Sequence, residues 1–159
     1  MKKSFLFLAG IVMILIFSFG FTNDEVGAKV GAYAPNISLL DNDKTIDIER
    51  FRGEYLLLTF WSSYDASSRY MCNEYDSFMK SNSKSINYLS VNLDESETLF
   101  SEILKLDNLN NDSQFFAGNR NYNQIDKFYD LKAGYYSFLI SKTGKIIAIN
   151  PSVSELKNL

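Results

Sequence analysis

The side chains that could do chemistry are few. The 159-residue chain holds one cysteine, Cys72, and no histidine. Lack of histidine removes the usual base near neutral pH, every His-based zinc site, and the Ser-His and Cys-His nucleophile pairs. With one cysteine there is no intrachain disulfide, two-cysteine redox cycle or cysteine-ligated metal cluster. What remains is the Asp65 carboxylate beside the hydroxyls of Ser67 and Ser68, and the Cys72 thiol one helical turn further on. Asp65, Ser67 and Ser68 suit hydrolysis or cation binding on paper. A helix cap explains the same residues, and a hydroxyl nucleophile has no histidine to activate it. Cys72 is either a lone reactive thiol or a small apolar filler, and its neighbours Met71, Tyr75, Phe78 and Met79 favour the filler. The acidic runs DNDKTID and NLDESE lack the ladder of oxygen ligands of a calcium loop and read as solvated turns. No metal site and no cofactor is expected.

These residues depend on an alternating series of strands and helices. YLLLTFW, Tyr55 to Trp61, is almost continuously apolar, the pattern of a central strand covered on both faces. Asp65 follows at the start of a helical pattern, where its carboxylate would accept the free amides of the first turn. Further on the pattern predicts a strand over 86–93, helices over 95–106 and 121–131, and a hairpin of 136–140 with 145–149 about the turn residues 141–144. Before the central strand, 36–40 and 45–48 predict a small hairpin. The order β-β-β-α-β-α-α-β-β calls for an α/β domain with a mixed sheet, because a closing hairpin cannot be parallel. At 46% hydrophobic and 22% charged residues, the chain has the balance for one packed core.

Lys2 and Lys3 precede an apolar run over 5–21, which reads as an export signal. The run is close to the length of the shortest membrane spans, so residues 1–20 are either a cleaved signal peptide or a retained anchor. Both place the remainder outside the cytoplasm, periplasmic or tethered to the outer face of the inner membrane. Residues 21–30 read as a linker and 31–159 as the domain. Losing residues 1–20 would remove two of the 16 basic residues and none of the 19 acidic ones, moving the formal charge from -3 to -5. The lysines are scattered, so no nucleic-acid footprint is present.

Three stretches, VGAYAPNISL, FRGEYLLLTFWSSYDASSR and YDLKAGYYSFLISKTGKII, resemble the thioredoxin-like thiol-disulfide oxidoreductases of the redoxin and cytochrome-c-biogenesis type. The resemblance runs from about residue 30 to 149. It rests on a G-x-x-A-P-x-x-x-L entry, an R-G-x-Y-x-L-L-x-F-W strand and an S-F-L-I-x-x-x-G-K-I-I hairpin in family order. It implies a thioredoxin fold: a central mixed β-sheet flanked by helices, with the early hairpin as an N-terminal extension. In the family, the strand ending F-W leads to C-x-x-C at a helix N-terminus, where dipole and free amides stabilise the attacking thiolate. Trp61 and Arg69 match that pattern, whereas Asp65 stands at the first cysteine position and Ser68 at the second. Neither side chain can carry out dithiol exchange. The family's cis-proline position falls on Tyr135, and a non-proline cis bond costs about 2.5–4 kcal/mol, so a trans peptide is expected there.

The resemblance thus implies a fold retained without its redox dithiol. Tyr64, Tyr135 and Tyr136 are expected to converge on the surface where relatives bind peptide, and exposed aromatics make good partner contacts. Tyr70, Tyr122 and Tyr129 are weaker candidates, since aromatics also fill cores. The leading expectation is a non-catalytic module that binds an extracytoplasmic protein or peptide through Trp61, Tyr64, Asp65, Ser68, Tyr135 and Tyr136. The alternative is thiol-disulfide chemistry, in redox homeostasis or cytochrome c maturation, by Cys72 with an external thiol. A third reading is a decayed chain: the tail after Pro151 is short for a closing helix and is expected to leave part of the sheet uncovered.

Overall fold

The computed structural model describes residues 25–41, 44–81 and 86–159. The signal or anchor over 1–20 lies outside the described residues. Seven strands occur among them: β1 Ser38–Asp41, β2 Lys44–Asp47, β3 Tyr55–Trp61, β4 Ile86–Asn92, β5 Gln114–Phe116, β6 Ser137–Ile140 and β7 Ile146–Ile149. The helices are α1 Ala66–Ser81, α2 Glu97–Leu106, α3 Gly118–Tyr129 and the single turn α4 Val153–Leu156. β1 and β2 form the expected separate hairpin, and the other five make one sheet in the order β5-β4-β3-β6-β7. β3 runs parallel to β4, with Tyr55 opposite Ile86 and Trp61 opposite Asn92, and antiparallel to β6. The mixed sheet and flanking helices follow the expected architecture.

β3 holds the middle because both its faces are apolar. Leu56, Leu58 and Phe60 pack with Ile125, Tyr129, Leu131 and Phe138 on one side. On the other, Leu57 meets Tyr75, Phe78, Leu139 and Leu156, while Trp61 meets Cys72, Phe100, Ile103 and Leu109. α1 contributes Ser68, Cys72, Tyr75 and Phe78 to that second side, spaced so that one face of the helix lies on the sheet. The short tail does close the fold: Leu156 is buried against Leu57 and Tyr75, and the Tyr75 hydroxyl donates to the Pro151 carbonyl at 2.7 Å. Ile147 and Ile149 of β7 stay exposed.

Element boundaries moved where a cap overrode periodicity. α2 starts at Glu97 because the Ser96 hydroxyl accepts the Leu99 amide at 3.2 Å. α3 stops at Tyr129 because Asp130 turns left-handed, at φ 50°. β5 was not anticipated at all. Residues 25–34, assigned in part to a linker, carry backbone bonds to the domain. Gly27 N donates to Tyr33 O, Gly31 N to Ile146 O and Ala34 N to Gly144 O, while Ile146 N donates to Ala32 O. The two bonds to Ile146 cover part of the outer edge of β7, which would otherwise offer open backbone groups there.

Tyr129 stitches the entry segment to the core. Its ring packs at 4.9 Å from that of Phe60 and 5.0 Å from that of Phe138, and its hydroxyl donates to the buried Pro35 carbonyl at 2.6 Å. Tyr129→Phe should therefore strand that carbonyl and cost about 1–3 kcal/mol. Calorimetry should record a melting temperature several degrees lower; an unchanged one would count against this account.

Candidate functional site

The candidate site lies where β3 ends and α1 begins. Asp65 caps α1: its Oδ1 accepts the Ser68 amide at 2.7 Å, and its carbonyl accepts the Arg69 amide at 3.0 Å. A negative group is thus already seated at the positive end of the helix. Ser68 is buried; its hydroxyl donates to Asp65 O and accepts the Ser62 amide at 3.3 Å. Both positions that the resemblance assigns to cysteines are therefore spent on shaping the turn.

Beneath the turn lies a group the sequence reading missed. Asp94, placed in a solvated acidic run, is 2% exposed. Its Oδ1 accepts the Ser62 hydroxyl at 2.6 Å and the Ser63 amide at 2.9 Å. Its Oδ2 accepts the Ser63 hydroxyl and, at 3.0 Å, the Asn92 side-chain amide. The Ser62 oxygen also accepts the Tyr64 amide at 3.2 Å. Burial is the main cause that raises the Tyr135 phenol above its ordinary range; the nearby Ser62 hydroxyl opposes it, and Tyr122, Asp94 and Asp65 add to it. The only sequence signal for Asp94 was a carboxylate directly after an apolar strand, a pattern shared by many exposed turns.

The proposed contact residues divide. Tyr64 is 77% exposed and Asp65, Tyr135 and Tyr136 are half-buried, whereas Trp61 is fully buried. Trp61 and Ser68 are thus corrected from surface to interior positions. Strand alternation puts Trp61 on the α1 face with Leu57, where its ring packs 6.1 Å from that of Phe100 and its Nε1 has no hydrogen-bond partner among the described residues. Tyr135 lies near Ser62 of the turn. Tyr136 is fixed by its backbone, its carbonyl accepting the Phe60 amide at 3.0 Å, and its ring packs against Phe138. Among the described residues no peptide bond is cis, so the Tyr135 peptide is trans. Of the other tyrosines, Tyr129 belongs to the core, Tyr122 packs partly against it, and Tyr70 is exposed on α1.

Cys72 is wholly buried, with its sulfur 3.3 Å from the Ser90 hydroxyl and near Tyr88 and Gln114. Burial pushes its thiol up, against the smaller lowering effect of those hydrogen bonds. A thiol so placed is a poor nucleophile. No group of three potential metal ligands occurs among the described residues. A small pocket of about 10 Å³, lined in part by Ile48, Phe51, Leu56 and Ile140, has room for about one water. It opens at the other end of β3, roughly 17 Å along the strand from Trp61, and plays no part in this site.

The geometry defines a thioredoxin-like domain, and comparison with known proteins agrees. No protein-family model matches the chain, and no curated relative matches it. Among solved structures, a thioredoxin-like protein from Parabacteroides distasonis is 32% identical, with a TM-score of 0.74 over 84% of this chain and 96% of that one. A thiol-disulfide oxidoreductase from Bacteroides fragilis is 26% identical, with a TM-score of 0.65 over 79% of this chain and 95% of that one. The thioredoxin domain of a thiol-disulfide oxidoreductase from Bacteroides vulgatus shares the fold at 21% identity, with a TM-score of 0.69 over 82% and 94%. The chain belongs to the thioredoxin-like family.

Arg69, which matches the family pattern, forms a two-pronged pair with Asp107 at 2.7 and 2.6 Å, and Asn73 adds a bond at 3.1 Å. The Arg69 hydrogen bond is the main cause holding Asp107 below its ordinary carboxylate range. A depressed carboxylate contributes stability that is present above the unfolded-state value and lost as pH falls through the folded-state one. The urea midpoint of Asp107→Asn should therefore lie below that of the parent near neutral pH and converge on it in acid. A gap of constant size from neutral pH down to pH values below the carboxylate range would contradict this.

Proposed function

We propose that this chain is an exported, non-catalytic thioredoxin-like module that binds a protein or peptide through the surface around Tyr64, Asp65 and Tyr135. The observation that carries the reading is the use of Asp65 and Ser68 as cap and turn residues, with the chain's only thiol buried at Cys72. Exchange chemistry needs a thiolate that can reach its substrate and a sulfur to resolve the mixed disulfide. Asp65 and Ser68 supply neither, and Cys72 is enclosed and has a raised pKa. Export rests on the apolar run over 5–21 behind Lys2 and Lys3. Among the described residues no helix is long and apolar enough to cross a membrane.

In this reading an exposed tyrosine stands directly before the first of the two redox positions. Tyr64 offers a large ring with a polar tip at low conformational cost, the kind of anchor that partner surfaces favour. Tyr135 adds a second, half-buried ring near Ser62 of the same turn.

Insulin reduction with dithiothreitol or glutathione should run at background for the parent protein, and Cys72 should resist thiol reagents until the chain unfolds. Asp65→Cys combined with Ser68→Cys should raise turnover above background, because the helix terminus lowers a thiol pKa. Turnover by the parent, abolished in Cys72→Ser, would replace this reading with single-thiol chemistry. For the binding half, a photo-crosslinking residue at position 64 of the exported full chain should give discrete adducts. The same probe at Leu106, exposed elsewhere, should not. Indistinguishable adduct patterns would remove the proposed surface.

A further inference from the structure

We propose that Asp94 is the positioning residue of this surface: a buried carboxylate that fixes the backbone of residues 62–65 and so sets the direction in which Tyr64 projects. The inference rests on the proposed reading only for the use made of Tyr64; the latch itself stands on geometry. A carboxylate has about four lone-pair sites. Asp94 fills them with the hydroxyls of Ser62 and Ser63, the amide of Ser63 and the side-chain amide of Asn92. Three of those donors come from two consecutive residues of the turn, and the fourth from the end of β4.

The orientation of the cluster is determined. The Asp94 amide donates to Asn92 Oδ1 at 3.0 Å, which leaves the Asn92 Nδ2 hydrogens facing Asp94 Oδ2. The Leu93 amide donates to Trp61 O at 3.0 Å, so the two strand ends are also joined by backbone. From this base the constraint spreads through Ser62. Its oxygen takes the Tyr64 amide, its carbonyl takes the Asp65 amide at 3.1 Å, and its own amide reaches Ser68. All four amides of residues 62–65 thus have acceptors, one on Asp94 and one on a hydroxyl that Asp94 orients. One buried side chain therefore sets the turn from which the exposed tyrosine projects.

Asparagine at 94 has nearly the same shape and keeps one acceptor, but its amide would face the Asn92 amide, donor against donor. Amide hydrogen exchange on the folded domain is the test. In Asp94→Asn, the amides of residues 63 and 64 should exchange at least about tenfold faster than in the parent, equal to about 1.4 kcal/mol of lost local protection. Those of β3 should change less. Ser63→Ala, a milder change that removes one donor and leaves the carboxylate, should act in the same direction more weakly and keep the assay readable if Asp94→Asn folds poorly. Unchanged exchange at 63 and 64 in both variants, or equal acceleration there and throughout β3, would overturn the proposal. Crosslinking through position 64 is read separately. If those adducts are lost from Asp94→Asn while the turn exchanges as in the parent, the surface stands and the latch fails. If the turn loosens but the parent gives no adducts, the latch stands and the surface fails.

Discussion

Water is excluded from both faces of β3, and the remaining elements are arranged to make that so. Leu56, Leu57, Leu58, Phe60 and Trp61 are each no more than 1% exposed. At roughly 1.5–3 kcal/mol for each large apolar side chain buried, such a strand can exist only if both sides are covered. α1 and α4 cover one side, and α3 with the entry segment covers the other. The parallel partner β4 and the antiparallel partner β6 satisfy its backbone. Because the strand is held along its whole length, its C-terminal end is a rigid platform, and the turn from Ser62 to Asp65 inherits that rigidity. The same strand produces the division among the candidate residues: Trp61, still within the alternation, is inside, while Tyr64, three residues later, is out.

The parts of the fold that were legible in sequence are those whose signals are local. The continuous apolar run gave β3 its residue boundaries, the turn residues 141–144 gave the β6–β7 hairpin, and Asp65 marked the start of α1. β5 was illegible because three residues carry no periodicity. Its strand character comes from pairing with β4, Ser90 opposite Gln114, a contact between residues far apart in the chain. The candidate site divides the same way. The cap at Asp65 is a contact across three residues and could be read. The latch at Asp94 joins positions about thirty apart, so a carboxylate in an acidic run gave no sign of being buried. Trp61 was misplaced for a different reason: the family pattern marks it as part of the motif, but only strand alternation says which way it points.

Membership of the thioredoxin-like family fixes the architecture, and the residues at the site decide the chemistry. The hydrogen-bonding capacity of the helix N-terminus is still present, but it is filled from within the chain by Asp65. The buried carboxylate of Asp94 makes the turn a cross-braced structure of serines and amides. Both arrangements favour a single held conformation of the turn.

The burial of Cys72 has a consequence for how the chain is made. A thiol enclosed at the junction of α1, β4 and β5 is shielded once those three elements have met, yet beforehand it is open to any oxidant and to exchange with any foreign disulfide. Its two environments are separated by the assembly of β5, a strand of three residues. Capture of the cysteine is thus a competition between a bimolecular encounter and the docking of a three-residue strand, and a nascent chain that docks late would be trapped as a mixed disulfide or a covalent dimer. In an oxidising compartment the lone cysteine would act as a timer on folding, penalising chains that close the edge of the sheet too slowly.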